Sequence, residues 1–124
     1  MEGAPVASEL AQMRGKIAVV RVRGYLDHNT ADVLDELIDA HLETGCYAII
    51  FDLGGVKYIG SRGWSVFLRK IKQVRDRGGD LKLACMNEDV YEVFKVLEFF
   101  WFLRSYDTLE EAVLAFEYDT PPMP

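Results

Sequence analysis

Cysteine is scarce in this chain: Cys46 and Cys85 lie far apart and outside any C-x-x-C pair. With only His28 and His41 besides, no His/Cys cluster supports a zinc site, and no metal or cofactor is expected. Two buried free thiols in a reducing compartment are the plain reading. Long apolar runs are also missing. The densest, Phe99-Phe100-Trp101-Phe102-Leu103, falls far short of the roughly 20 residues needed to cross a bilayer, so no membrane insertion is expected. Met1 to Leu10 carry acids rather than the basic start of a signal peptide, and a cytoplasmic location follows as the expectation. Positive charge falls short of negative, 14 Lys and Arg against 20 Asp and Glu, for a net charge of −6. Duplex DNA is bound through a basic footprint, so this balance argues against direct DNA binding. It leaves open an acidic regulator that docks on a basic protein surface.

What is present suits one compact domain over residues 1–124, with a core from about 10 to 117 and loose ends. Half of the residues are apolar, enough for a core. Ile17 to Val22 is a β-branched strand candidate, with a shorter strand before it within Val6 to Met13 and a turn at Arg14-Gly15. Asn29 suits a helix N-cap, followed by Val33, Leu34, Leu37, Ile38, His41 and Leu42 at helical spacing, with Gly45 as the stop. Tyr47 to Leu53 is apolar enough for an interior strand, and Gly54 to Gly60 then reads as a loop. A helix from Ser61 to Arg77 carries the stripe Trp64, Phe67, Leu68, Ile71, Val74. Asp80 to Cys85 is a further strand. Asn87 caps a third helix with the stripe Val90, Val93, Phe94, Leu97. A short strand lies within Trp101 to Ser105, and a last helix opens at Asp107 with Glu110 three residues on. This alternation predicts an α/β fold: a mixed, mostly parallel sheet of four to five strands packed with about four helices.

The segment between the central strand and the second helix, Val56-Lys57-Tyr58-Ile59-Gly60-Ser61-Arg62-Gly63-Trp64, sits where open α/β sheets meet their ligands and partners. Ser61 falls at the helix start as N-cap or next to it. The free N–H groups and dipole of a first turn favour negative charge. A phosphate on Ser61 would add about −1.5 to −2 charge and turn a neutral patch into a dianion. From position alone a serine at a helix start is usually just a cap, and the two roles are compatible.

Phe51-Asp52-Leu53-Gly54-Gly55-Val56-Lys57-Tyr58-Ile59-Gly60-Ser61-Arg62-Gly63 resembles the central signature of STAS domains, in which the stretch ends Asp-Ser-Ser/Thr-Gly. Gly24-Tyr25-Leu26-Asp27-His28-Asn29-Thr30-Ala31 resembles the family's first motif, and Tyr106-Asp107-Thr108-Leu109-Glu110-Glu111-Ala112 its closing one. Gly78-Gly79-Asp80-Leu81 fits the turn into the fourth main strand. The ordered set resembles the stand-alone anti-sigma factor antagonists. The resemblance implies a substrate and binder rather than a catalyst. Its partners would be a serine-kinase anti-sigma factor, which phosphorylates the serine matching Ser61, and a serine phosphatase that reverses it. By the same resemblance Asp27, His28, Tyr58, Gly60, Ser61, Arg62, Gly63 and Ser65 form the partner-binding surface. Two departures touch the switch: Gly60 replaces the family's Asp, and Arg62 its second Ser/Thr. A third is Glu98, where the family tends to have Gly.

Other residues carry weaker expectations. The Phe99 to Leu103 stretch is either core on alternate residues or an exposed patch for a partner or homodimer. Asp27 and Asp52 lack the histidine or nucleophile that a catalytic pair would need. His28 is expected to be exposed, and His41 half-buried. Gly54-Gly55 is followed by no Gly-Lys-Ser/Thr, which excludes a P-loop. Lys70, Lys72, Arg75, Arg77 and Lys82 read as a solvated basic face or a site for an acidic partner. The alternative to a phosphorylated antagonist is a non-phosphorylated STAS interaction or scaffold subunit of a signalling or transporter complex.

Overall fold

The computed structural model of the protein describes residues 11–118. Five strands form one sheet in the order of the chain: β1 (Ala11–Arg14), β2 (Ile17–Leu26), β3 (Ala48–Ile59), β4 (Asp80–Ala84) and β5 (Arg104–Tyr106). β1 pairs with β2 as an antiparallel hairpin, and the other three pairings are parallel. The parallel pairs are joined by α1 (Ala31–Glu43), α2 (Ser61–Asp76) and α3 (Glu88–Val96), the last followed by a 3-10 turn at Phe99–Trp101. α4 (Leu109–Tyr118) closes the described chain. The mixed, mostly parallel α/β architecture expected from the sequence is therefore present. Of the first strand's expected span, residues 6–10 lie outside the described residues.

The period of two in the strands divides the core. Ile49, Phe51 and Leu53 of β3 face α1, α2 and α3 together with Val20, Val22, Leu81 and Leu83. Ile50 turns the other way with Ile17, Val19 and Ala84, and meets Ala112 and Val113 of α4. Three helices thus cover one face and α4 the other. Phe51 and Phe67 meet edge to face at the centre, 5.3 Å between ring centroids. Gly45 and Gly78, with φ of +85° and +86°, follow α1 and α2 in a left-handed conformation that favours glycine at helix ends.

Several elements differ from the sequence expectation. Gly54 to Gly60 is not a loop up to Ile59: β3 continues through it, because β2 also runs on to Leu26 and pairs with it, with register shifts between Arg21 and Arg23 and between Gly24 and Tyr25. The N-cap of α1 is Thr30 rather than Asn29. Asn29 donates its backbone N–H to Asp27 Oδ1 at 2.9 Å in a turn before the helix. Val33 of α1, and Val93 and Leu97 of the third expected stripe, are exposed. The last strand begins at Arg104, inside the expected span, and runs one residue past it to Tyr106. The last helix begins two residues later than expected, with Thr108 Oγ1 accepting from the Glu111 N–H at 3.1 Å. Both thiols are free, but each is only partly buried.

The expected basic face is also corrected. Lys70 is buried and lies 2.7 Å from Asp35 and 2.6 Å from Asp39. Lys82 is buried and lies 3.0 Å from Asp80, which also holds Arg75 at 3.0 Å. Lys72 and Arg77 alone of the five remain at the exposed surface. Lys70 falls beside acids of α1, and Arg75 and Lys82 share Asp80 at the start of β4, so each of these charges has a partner.

Candidate functional site

The carboxyl ends of β2 and β3 lie side by side, with Leu26 opposite Ile59 and the Gly60 N–H donating to the Leu26 carbonyl at 2.7 Å. That bond sets the Asp27-His28 turn next to the start of α2. The turn itself is clipped by Thr30. Its buried hydroxyl donates to the Tyr25 carbonyl at 2.8 Å and accepts from the Asp27 N–H at 2.9 Å. Sequence reasoning did not assign Thr30 a role. Its place in the first motif, two residues beyond His28, was the available signal.

Gly60 is the N-cap of α2, in extended backbone with no side-chain cap, and Ser61 is the first helical residue. The first intrahelical bond runs from the Trp64 N–H to the Gly60 carbonyl at 3.0 Å. The N–H groups of Ser61, Arg62 and Gly63 precede it and belong to the positive end of the helix. Ser61 and Ser65, one turn apart, are both exposed, as are Tyr58, Arg62 and His28. Asp27 is half-buried. Gly60 and Gly63 are buried and shape the site rather than present a side chain to solvent. A Cβ on Gly63 would stand 2.8 Å from the Leu26 carbonyl oxygen, so glycine lets the first turn of α2 close against β2. The Arg62 guanidinium reaches across to Asp32 of α1 at 3.3 Å.

Ser61, Ser65, Tyr58 and Gly60 share one wall of an open groove of about 650 Å3. Its floor and far wall are mostly apolar, formed by Trp64 and Leu68 of α2, Val93 of α3, Leu97 just past it and Phe99, with Arg69 of α2 the charged residue on the lining. Trp64 packs on Phe99 at 4.8 Å and on Phe94 at 6.0 Å between centroids. Asn87 holds α3 in place, its Oδ1 accepting from the Val90 N–H at 2.8 Å and its Nδ2 donating to the Val56 carbonyl at 3.0 Å. The groove brings four of the eight expected surface residues together. The Leu26–Gly60 bond adds Asp27 and His28, while Arg62 turns toward α1. Asp52 is remote in role from this edge: it lies 3.6 Å from Arg21 and accepts from the Gly54 N–H at 3.0 Å. Burial, followed by the Asp52 carboxylate, pushes the Cys85 thiol above its usual range and away from the reactive thiolate.

No cluster of three metal-ligating side chains occurs among the described residues, and no described helix is long and apolar enough to cross a membrane. The sheet order and the serine-bearing helix start at the carboxyl edge define a small α/β domain built to present a surface. The chain belongs to the STAS domain family, whose model matches residues 10–112. It is similar to the anti-sigma F factor antagonist of Paenibacillus polymyxa, 26% identical over 110 residues that cover 88% of this chain and 93% of that protein. It is also similar to BtrV of Bordetella bronchiseptica, at 30% identity over 81% of this chain and 86% of that one. Its fold matches the solved structure of the anti-sigma factor antagonist SpoIIAA in its unphosphorylated form, with a TM-score of 0.70 and 22% identity over 83% of this chain and 90% of that one.

Proposed function

We propose that the protein is an anti-sigma factor antagonist, acting in the cytoplasm, that binds a serine-kinase anti-sigma factor through the edge formed by Asp27, His28, Tyr58, Ser61 and Ser65 and is released by phosphorylation of Ser61. The observation that carries this reading is the setting of Ser61: an exposed hydroxyl on the first turn of α2, beside the Asp27 turn and on the rim of an apolar groove. The first turn of α2 contains no acid, whereas α1, α3 and α4 each have at least one there. A dianion on Ser61 would therefore meet the N–H dipoles of the first turn rather than a carboxylate on its own turn, and Arg62 would have to leave Asp32 to reach it. The kinase moves the γ-phosphoryl group of ATP to Ser61 Oγ; ADP leaves, and the hydroxyl proton goes to a base on the kinase. A serine phosphatase hydrolyses the ester and restores the hydroxyl. The fold tolerates the phosphate, but a partner lying over the groove would have to strip water from it, at a cost of several kcal/mol.

The test is a kinase reaction with the anti-sigma factor of the same source and ATP, read by mass spectrometry. The expected result is one phosphate, on Ser61, that is absent from Ser61→Ala. A protein left unmodified by a kinase proven active would exclude the switch and favour a constitutive interaction subunit.

A further inference from the structure

The far wall of the groove continues into an unusual apolar surface. Val96, Leu97, Phe100, Trp101 and Phe102 are all exposed, Trp101 by 72% and Leu97 by 54%. Ring contacts run without a break from the groove floor to this shelf: Trp64 to Phe94, Phe94 to Phe100 at 6.5 Å, and Phe100 to Trp101 at 5.6 Å. The shelf leaves roughly 500 Å2 of apolar surface open, taking about 150–250 Å2 for each aromatic residue. That is at the upper end of what a monomer tolerates, about 300–600 Å2. It is also less than the ~800 Å2 per partner of a standard interface. The shelf is too small to hold a stable dimer by itself. It adjoins the groove, whose lining includes Leu97 together with Ser61 and Ser65. On the α3 side the exposed charge is mainly acidic: Glu88, Asp89, Glu92 and Glu98 on α3 and its ends, against Lys95, which lies 3.7 Å from Glu92, and Lys57 near Asp89. Arg69 on the groove wall is held by Asp35 at 2.8 Å.

We infer that the groove and the aromatic shelf form a second part of the anti-sigma factor's docking site, and that they take an apolar segment of that partner flanked by lysine or arginine. This rests on the proposed function, because it is continuity with the Ser61 edge that selects the occupant. It assigns the shelf a role that the serine does not have: Leu97 and Trp101 supply affinity and partner choice, and Ser61 supplies the gate. The acidic margin makes the affinity fall as salt rises.

The experiment titrates the purified anti-sigma factor with the unphosphorylated full-length protein and with Leu97→Ser, Trp101→Ala and Leu114→Ser. Leu114 is a control, exposed on α4 across the sheet. All four are first matched for melting temperature, and sedimentation records their oligomeric state. The expected result is a loss of tenfold or more for Leu97→Ser and Trp101→Ala and none for Leu114→Ser. Unchanged affinity in both shelf variants, with the wild type binding and gated by Ser61, overturns this inference alone. A wild-type dimer that both shelf variants dissolve, with anti-sigma binding intact, makes a second copy the occupant and overturns it as well. A wild type that binds no anti-sigma factor overturns the proposed function along with it.

Discussion

Three residues explain where this chain departs from its family. An aspartate at Gly60 would occupy the N-cap of α2, where a side-chain oxygen reaches the N–H groups of the second or third helical residue. With glycine there those donors stay open beside Ser61, while the charge of Arg62 in the same turn is paired with Asp32 of α1. Glu98 is the third. It sits just past α3 with φ of +60°, the left-handed conformation that costs a residue with a Cβ about 1–2 kcal/mol. A glycine here, as in the pattern the chain resembles, would not carry that cost. Glu98→Gly should therefore stabilise the protein by about 1 kcal/mol, seen as a higher urea midpoint at unchanged slope. At Ser61 itself, Ser61→Ala should bind the anti-sigma factor as the wild type does but resist release by the kinase. Ser61→Asp should bind more weakly, by about tenfold or ~1.4 kcal/mol in a calorimetric titration.

At the scale of elements, α1 and α2 are joined by a ladder of charge: Asp32 with Arg62, Asp35 with Arg69 and Lys70, and Asp39 with Lys70. The outer pairs are exposed and contribute little. Lys70 is different, because its ammonium is buried between two carboxylates. Burial works against its charge, yet Asp35 and Asp39 outweigh that and raise its pKa. The Lys70 ammonium beside Asp35 in turn holds that carboxyl below its usual value. Lys70→Ala should cost about 2 kcal/mol in chemical denaturation, less than a deeply buried pair because Asp39 is half exposed. Lys70→Met, which keeps the packing of the stem, should cost less. None of this ladder was legible in the sequence, where Lys70 stood among other bases and its acids lay some 30 positions away. The strands and helices were legible, since apolar periodicity is local. The extension of β3 was not, because Gly54 and Gly55 read as a break and only pairing with β2 keeps them in the sheet. The Ser61 edge could be located from its motif and its place after the central strand. The groove beside it could not, because the exposure of Val93 and Leu97 depends on how α3 packs against α2.

The molecule as a whole divides its labour between a closed core and an open edge. Its stability should depend on pH through His41 on α1. Burial lowers the pKa of that imidazole from its ordinary 6.5, and its Nε2 is buried without a hydrogen-bond partner. As pH falls through 6.5 the unfolded chain takes up a proton that the fold binds more weakly, so the His41 contribution is present above that pH and is lost below it. Denaturation midpoints at pH 7.5 and 5.5 should show this decline, and His41→Leu should remove its share of it. Asp35 acts in the same direction lower down, its contribution lost as pH falls below 3.8. We propose that the open edge carries the function, with one phosphate on Ser61 deciding whether the partner stays bound. The direct measurement is a pair of calorimetric titrations of the anti-sigma factor, one with the unmodified protein and one with protein carrying a single phosphate on Ser61 verified by mass spectrometry. A loss of about a hundredfold, roughly 2.8 kcal/mol, on phosphorylation is the predicted result, and equal affinity for the two forms would contradict the account.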